Sequence, residues 1–186
     1  MISAIVTTFN DERRLGATLT ALVPAAINGL VREVLFADAG STDATAEIAE
    51  DAGAGLISGE GDRDRALASA CAAARGPWLL LLDAGSRLQP GWEAAVDDHM
   101  RTHADQAGWF RLVVEGRSLG ARWREAAAGL RGRLTGRPAM EQGLLVSKRL
   151  FDQVRGERGG LLSHAALIRR LGRKRLRPIA ARAAVD

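Results

Sequence analysis

Val34-Leu35-Phe36-Ala37-Asp38 and Trp78-Leu79-Leu80-Leu81-Leu82-Asp83 are two short apolar runs that each end on a lone carboxylate. The first continues into Ala39-Gly40-Ser41-Thr42-Asp43, the second into Ala84-Gly85-Ser86. Strands buried on both faces of a parallel sheet read as continuous apolar runs. In open α/β sheets the ligand sits beyond the carboxyl ends of such strands. An Asp at that point is expected to face a ligand rather than the core. For Asp38 a helix-side cap or a surface turn is the alternative. Asp43 reads as a first-turn carboxylate favoured by the helix dipole.

Working outward, Ile2–Thr8 reads as a first buried strand, followed by the polar loop Thr8-Phe9-Asn10-Asp11. Leu15, Leu19 and Leu22 recur at helical spacing, and Pro24 is expected to end or kink that helix. Ser41-Thr42-Asp43 offers N-caps for a helix through about Asp51, Gly53–Ile57 a short strand, and Arg65–Ala74 an Ala-rich helix. Gly76-Pro77 precedes the Trp78–Leu82 strand, and Pro90-Gly91 opens a helix through about His103. Further on, strands are expected at Gly108–Glu115 and Gly143–Val146. Helical segments are expected at Trp123–Leu134, from Leu150-Phe151, and at Leu161–Leu171. Alternating strands and helices predict an α/β fold with a mixed, mostly parallel sheet flanked by helices.

With 186 residues the chain suits a single domain, 1–186. Residues 1–100 carry 7 Lys/Arg against 15 Asp/Glu, and residues 101–186 carry 19 against 7. A net charge of +4 thus hides an acidic half and a basic half. The basic half, including the Arg-rich tail Arg169–Arg182, could meet phosphate, an acidic acceptor or a membrane surface, or be a solvated face. No nucleic-acid motif is present and aromatics are few, so nucleic acid is not an expected partner. No apolar run approaches the ~20 residues of a membrane-spanning helix, and no leader pattern is visible. The single Cys71 allows no intrachain disulfide and reads as core filler. A cytoplasmic location, with peripheral membrane contact through the basic half, is the expectation. His99 and His103, four apart on an expected helix, could share a metal or simply pack. Trp109 and Trp123 could line an acceptor groove or the core.

Several blocks together resemble the family 2 glycosyltransferases, whose fold is GT-A, a nucleotide-diphospho-sugar transferase fold. Val6-Thr7-Thr8-Phe9-Asn10-Asp11 is similar to the family's Pro-Thr-Tyr-Asn-Glu turn, and Asp38–Asp43 to its Asp-Gly-Gly-Ser-Thr-Asp block. Ala73–Trp78 and the strand ending at Asp83 match the approach to its Asp-x-Asp motif. Arg131–Pro138 followed by Glu141-Gln142-Gly143-Leu144-Leu145-Val146 resembles a small bacterial subgroup. The resemblance implies transfer of a sugar from a nucleotide-diphosphate donor, most often a UDP-sugar, to an acceptor. It implies that Thr7, Phe9 and Asp11 border the base and ribose, that Asp38 accepts from the base, and that Arg63 or Arg65 lies in a loop near the donor. Asp83 would adjoin ribose and metal. Residues 1–100 would be the nucleotide-sugar half and 101–186 the acceptor half.

The chemistry accounts for these residue types. Breaking the bond from the anomeric carbon to diphosphate builds charge on the leaving group, which a divalent metal or fixed cations must take up. The acceptor hydroxyl needs a base. Here the sequence departs from the family. Gly85 stands at the second acid of Asp-x-Asp, leaving Asp83 alone for Mn2+ or Mg2+. Ala70-Cys71-Ala72 replaces Asn-Ala-Gly, and Ser163-His164 replaces the Glu-Asp pair whose Asp is the usual base. His164 and Glu141 become the candidate bases. The alternative is a catalytically impaired relative that binds a nucleotide or partner without transfer.

Overall fold

The computed structural model describes residues 1–114, 138–156 and 163–185. The expected helix Trp123–Leu134, the Arg131–Arg137 part of the arginine segment and Trp123 lie outside the described residues. The strands are β1 (Ile2–Thr8), β2 (Val31–Asp38), β3 (Gly55–Ser58), β4 (Trp78–Asp83), β5 (Arg87–Leu88), β6 (Ala107–Val114), β7 (Leu144–Ser147) and β8 (Leu176–Val185). The helices are α1 (Glu12–Ile27), α2 (Thr45–Asp51), α3 (Arg63–Ala73), α4 (Trp92–Thr102), α5 (Lys148–Arg155) and α6 (His164–Leu171).

These strands form one eight-stranded sheet in the order β3-β2-β1-β4-β7-β6-β8-β5. The pairs β1/β2, β1/β4, β2/β3 and β6/β8 are parallel, while β4/β7, β6/β7 and β5/β8 are antiparallel. The expected mixed, mostly parallel α/β architecture is what the chain adopts. From β1 the chain first moves to β2 and β3, then crosses back to β4 on the other side of β1. Such a reversal of direction opens a crevice at the carboxyl ends of the strands.

The apolar runs are continuous because helices cover both faces. Leu79 and Leu81 enter one core with Leu67 and Cys71 of α3, Phe151 of α5 and Leu167 of α6. Leu80 and Leu82 enter the other, with Leu15 and Leu22 of α1 and Trp92 of α4. Cys71 is core filler, and burial pushes its thiol up to about 12.

Several open expectations are resolved. Pro24 does not end α1, which runs on to Ile27. Leu22 and Ala25 are buried on either side of the proline, so packing holds the last turn, and the Trp92 indole N–H donates to the Ala21 carbonyl at 3.2 Å. The second half of the basic tail is β8, where buried Ile179, Ala181 and Ala183 alternate with exposed Ala180 and Arg182. Arg170 donates to the carbonyls of Val154 and Arg155 at the end of α5. Trp109 is core rather than groove, only 5% exposed. His99 and His103 stack on each other at 5.3 Å, and the His99 ring nitrogen Nε2 is held at 3.1 Å by the Gln106 carbonyl.

Candidate functional site

The register brings the candidate residues to one place. Thr8 pairs with Asp38 across β1/β2, and Thr7 with Asp83 across β1/β4. Both carboxylates therefore stand at the carboxyl ends of β2 and β4, the two strands that flank β1.

Their surroundings differ. Asp38 is 6% exposed, and its carboxylate accepts from four donors: Thr8 Oγ1 (3.0 Å), the Ser41 hydroxyl, Gly40 N–H (3.0 Å) and Ser41 N–H (2.8 Å). Burial acts to raise its pKa, but the Ser41 hydroxyl, the Thr8 hydroxyl and the two backbone N–H groups outweigh it and hold Asp38 below its ordinary value. Asp38 thus folds the β2–α2 loop around itself. Facing it, Asn10 donates its N–H to Ser41 Oγ at 2.8 Å and accepts Thr42 N–H at 2.8 Å. Asn10 does so from a left-handed backbone, φ 54°, a conformation Asn tolerates. The turn lifts Phe9 into solvent, 53% exposed.

Asp83 is the electrostatic centre. Its Oδ1 accepts from Thr7 Oγ1 and Arg63 Nη2, both at 3.1 Å. Its Oδ2 lies 4.0 Å from Arg14 Nη2. Burial pushes the Asp83 carboxyl above its ordinary value, against the opposing pull of Arg63, Thr7 and Arg14. Arg63 opens α3, whose start is capped by Asp62 accepting from Asp64 and Arg65 N–H. The arginine pair expected in a loop is thus on the first turn of a helix. Arg63 reaches Asp83, whereas Arg65 turns away to Glu60. Asp11 accepts Phe9 N–H at 3.0 Å on one oxygen and Arg14 Nη1 at 3.1 Å on the other.

On the other side of Asp83, the Ser86 hydroxyl donates to the Glu141 carbonyl at 3.3 Å. That contact sets Glu141 beside the Asp83–Ser86 turn. Gln142, buried, accepts Ala139 N–H (2.9 Å) and donates to the Phe110 carbonyl (3.1 Å). Gly143 follows at φ 69° with Leu82 and Phe110 packed where a side chain would start. The Glu141-Gln142-Gly143 segment is therefore fixed against β4 and β6. His164 is the first residue of α6, capped by Ser163. Its Nε2 is buried without a hydrogen-bond partner among the described residues, and burial lowers its pKa to about 4. No described hydrogen bond ties it to Asp83.

The family model for glycosyl transferase family 2 matches residues 3–174. The chain belongs to that family. Solved structures share its fold. Glucosyl-3-phosphoglycerate synthase from Mycobacterium tuberculosis, in complex with Mn2+ and uridine-diphosphate-glucose, is 21% identical with a TM-score of 0.68, over 100% of this chain and 70% of that one. S. aureus TarS 1-349 is 15% identical with a TM-score of 0.70, over 99% of this chain and 60% of that one. A mycobacterial protein structure is 22% identical with a TM-score of 0.67, over 100% of this chain and 66% of that one. The chain thus spans about two thirds of the length of these proteins. A comparison with curated protein sequences returns no match.

Family membership gives the chain a glycosyltransferase-like role and raises the question of the metal. Magnesium-like ions are usually held by one or two free carboxylates, with substrate phosphates and waters completing the octahedron. Here Asp11 and Asp83 are joined through Arg14, and Gly85 adds no side chain. Both carboxylates are already engaged by Arg14, and Asp83 also by Arg63 and Thr7. No group of three or more His, Cys, Asp or Glu placed for a metal is found among the described residues. These residues do not fit a divalent metal held by a pair of strand-end acids.

Arg14, Thr18 and Ser41 also build this site, and nothing in the sequence alone singles them out for it. Ser41 was visible only as a cap candidate. Arg14 and Thr18 carry a faint signal, four residues apart on one helix face, which gains meaning only once α1 is known to lie beside Gly85.

Proposed function

We propose that this chain transfers a sugar from a nucleoside-diphosphate donor, a UDP-sugar, bound at the carboxyl ends of β1, β2 and β4. The observation that carries the reading is the register that sets Thr7 against Asp83 and Thr8 against Asp38 at the strand reversal. Residues 1–100 form the donor half. Exposed Phe9 offers a face for the base, with Thr7 and Asp11 beside the ribose. Asp38 holds the loop against which the base rests. Its four acceptor positions are taken, so a base N–H bonding to Asp38 displaces the Ser41 hydroxyl. Arg63 supplies positive charge to the diphosphate, and Arg65 stays with Glu60.

Residues 101–186 form the acceptor half. Glu141, beside the Asp83–Ser86 turn, is the favoured base for the acceptor hydroxyl, with His164 as the second candidate. As the bond from the anomeric carbon to the diphosphate breaks, its electron pair stays with the diphosphate. The acceptor oxygen bonds to the carbon and its proton passes to the base. The exposed turn Arg173-Lys174-Arg175 is a cationic face for peripheral contact with an anionic membrane. Among the described residues no helix is long and apolar enough to cross a membrane.

Gly85 favours a second reading, in which the chain binds the nucleotide but transfers nothing. Calorimetry with UDP, followed by turnover over a panel of UDP-sugars and hydroxyl acceptors, tests both. Binding with turnover supports transfer, binding without turnover supports the second reading, and no binding removes both.

A further inference from the structure

Gly85 has a positive φ of 85°, and a Cβ built on it would lie 2.6 Å from Arg14 Nε and 2.8 Å from Nη2. The space a side chain at position 85 would enter is therefore filled by a guanidinium. Its placement is set from two sides. Nη1 donates to Asp11 at 3.1 Å, and Nη2 lies 4.0 Å from Asp83. One turn along α1, buried Thr18 accepts the Gly85 N–H at 2.9 Å, so α1 grips the turn at its backbone and covers it with a cation. Arg63 stands on the other oxygen of Asp83 at 3.1 Å.

We propose that Arg14, together with Arg63, takes the place of a metal ion, so that the diphosphate of the donor is held by two guanidinium groups and no divalent cation. The inference rests on the nucleotide-diphosphate reading above. A guanidinium stays charged at all working pH values and presents a planar fork of N–H donors that matches phosphate oxygens. Two of them bring the same formal charge as one divalent ion. Arg14 and Arg63 side chains remain 45% and 53% exposed, so each has donors left for a ligand beyond those given to Asp11 and Asp83. When the bond to the anomeric carbon breaks, the electron pair arriving on the diphosphate meets charge already fixed in position.

Calorimetric titration of UDP into the full chain, once with excess chelator and once with Mn2+, tests this. The expected result is the same affinity in both, within about twofold, and a loss on the order of 10–100-fold for Arg14→Ala in chelator, with Arg14→Gln behaving alike. Matching melting curves for the variants establish that they fold. A tenfold or greater gain of wild-type affinity on adding Mn2+ overturns the proposal, as does undiminished binding by folded Arg14→Ala. Absence of UDP binding under both conditions instead overturns the nucleotide reading beneath it.

Discussion

Glu12 and Asp43 exchange backbone partners: the Glu12 carboxylate accepts Ala44 N–H at 3.1 Å, and the Asp43 carboxylate accepts Glu12 N–H at 3.0 Å. Each residue thus serves the start of the other's helix, satisfying N–H groups that helix termini leave open. Asp43 also accepts from the Thr45 hydroxyl and N–H, the hydroxyl being the main reason its pKa sits low. The Asp43 role expected from the sequence, a carboxylate at its own helix start, is half of what it does. The exchange locks the loop bearing Phe9 and Asp11 to the loop bearing Gly40 and Ser41. Glu12→Ala should lower the melting temperature by a few degrees. Combined with Asp43→Ala, the loss should be smaller than the sum of the single losses. Strict additivity in thermal melts would show that the two loops are not coupled this way.

Arg63 and Arg65 were indistinguishable in the sequence and are separated by the structure. With Arg63 on Asp83 and Arg65 on Glu60, Arg63→Ala should weaken UDP binding on the order of tenfold or more, as for a lost charged hydrogen bond. Arg65→Ala should change it by less than about twofold, since an exposed ion pair contributes little. Calorimetry on both variants checks this, and a larger loss at Arg65 would reverse the assignment.

How far the sequence could be read follows from how each element is buried. β1, β2 and β4 were legible because helices cover both their faces, leaving unbroken apolar runs that end on the site residues. β8 was not. Its exposed Arg177 and Arg182 belong to a basic tract, and its inward positions include Ala181 and Ala183, small residues with weak strand preference. β5, at two residues, is too short to show a period. Asp83 was legible as a strand-end acid, but its partners were not. Arg14 comes 69 residues earlier in the chain, and only the β1/β4 pairing with α1 alongside brings it over Gly85.

At the opposite end of the sheet, Glu33 accepts the Ser3 hydroxyl (2.6 Å), Arg75 N–H (2.6 Å) and Arg75 Nε (2.8 Å). Burial acts to raise its pKa, yet Ser3 and Arg75 together hold it below its ordinary 4.5. A carboxylate with a lowered folded pKa adds stability that is complete above its unfolded pKa and disappears as pH falls through the folded value. Glu33→Gln should therefore destabilise the protein by about 1–3 kcal/mol at pH 7, and the gap to wild type should narrow as pH falls below the ordinary 4.5. Urea melts across that range check it, and a gap that persists in strong acid would point to packing instead.

The two candidate bases differ in what their surroundings allow. His164 is held neutral by burial, with a pKa of about 4 against an ordinary 6.5. Between those values the unfolded chain takes up a proton that the folded chain refuses, so stability should fall as pH drops from 6.5 towards 4. His164→Gln should flatten that fall. Burial also closes the ring to an incoming hydroxyl, since its Nε2 is buried and makes no hydrogen bond among the described residues. Glu141 sits by the Asp83–Ser86 turn through the contact with Ser86. Glu141→Gln should lower kcat about 10²–10⁴-fold with little change in KM for the donor, while His164→Gln should cost less than about tenfold. Proton NMR should place the His164 titration near pH 4 in the folded state. A midpoint near 6.5, with His164→Gln the more damaging variant, would hand the base role to the histidine.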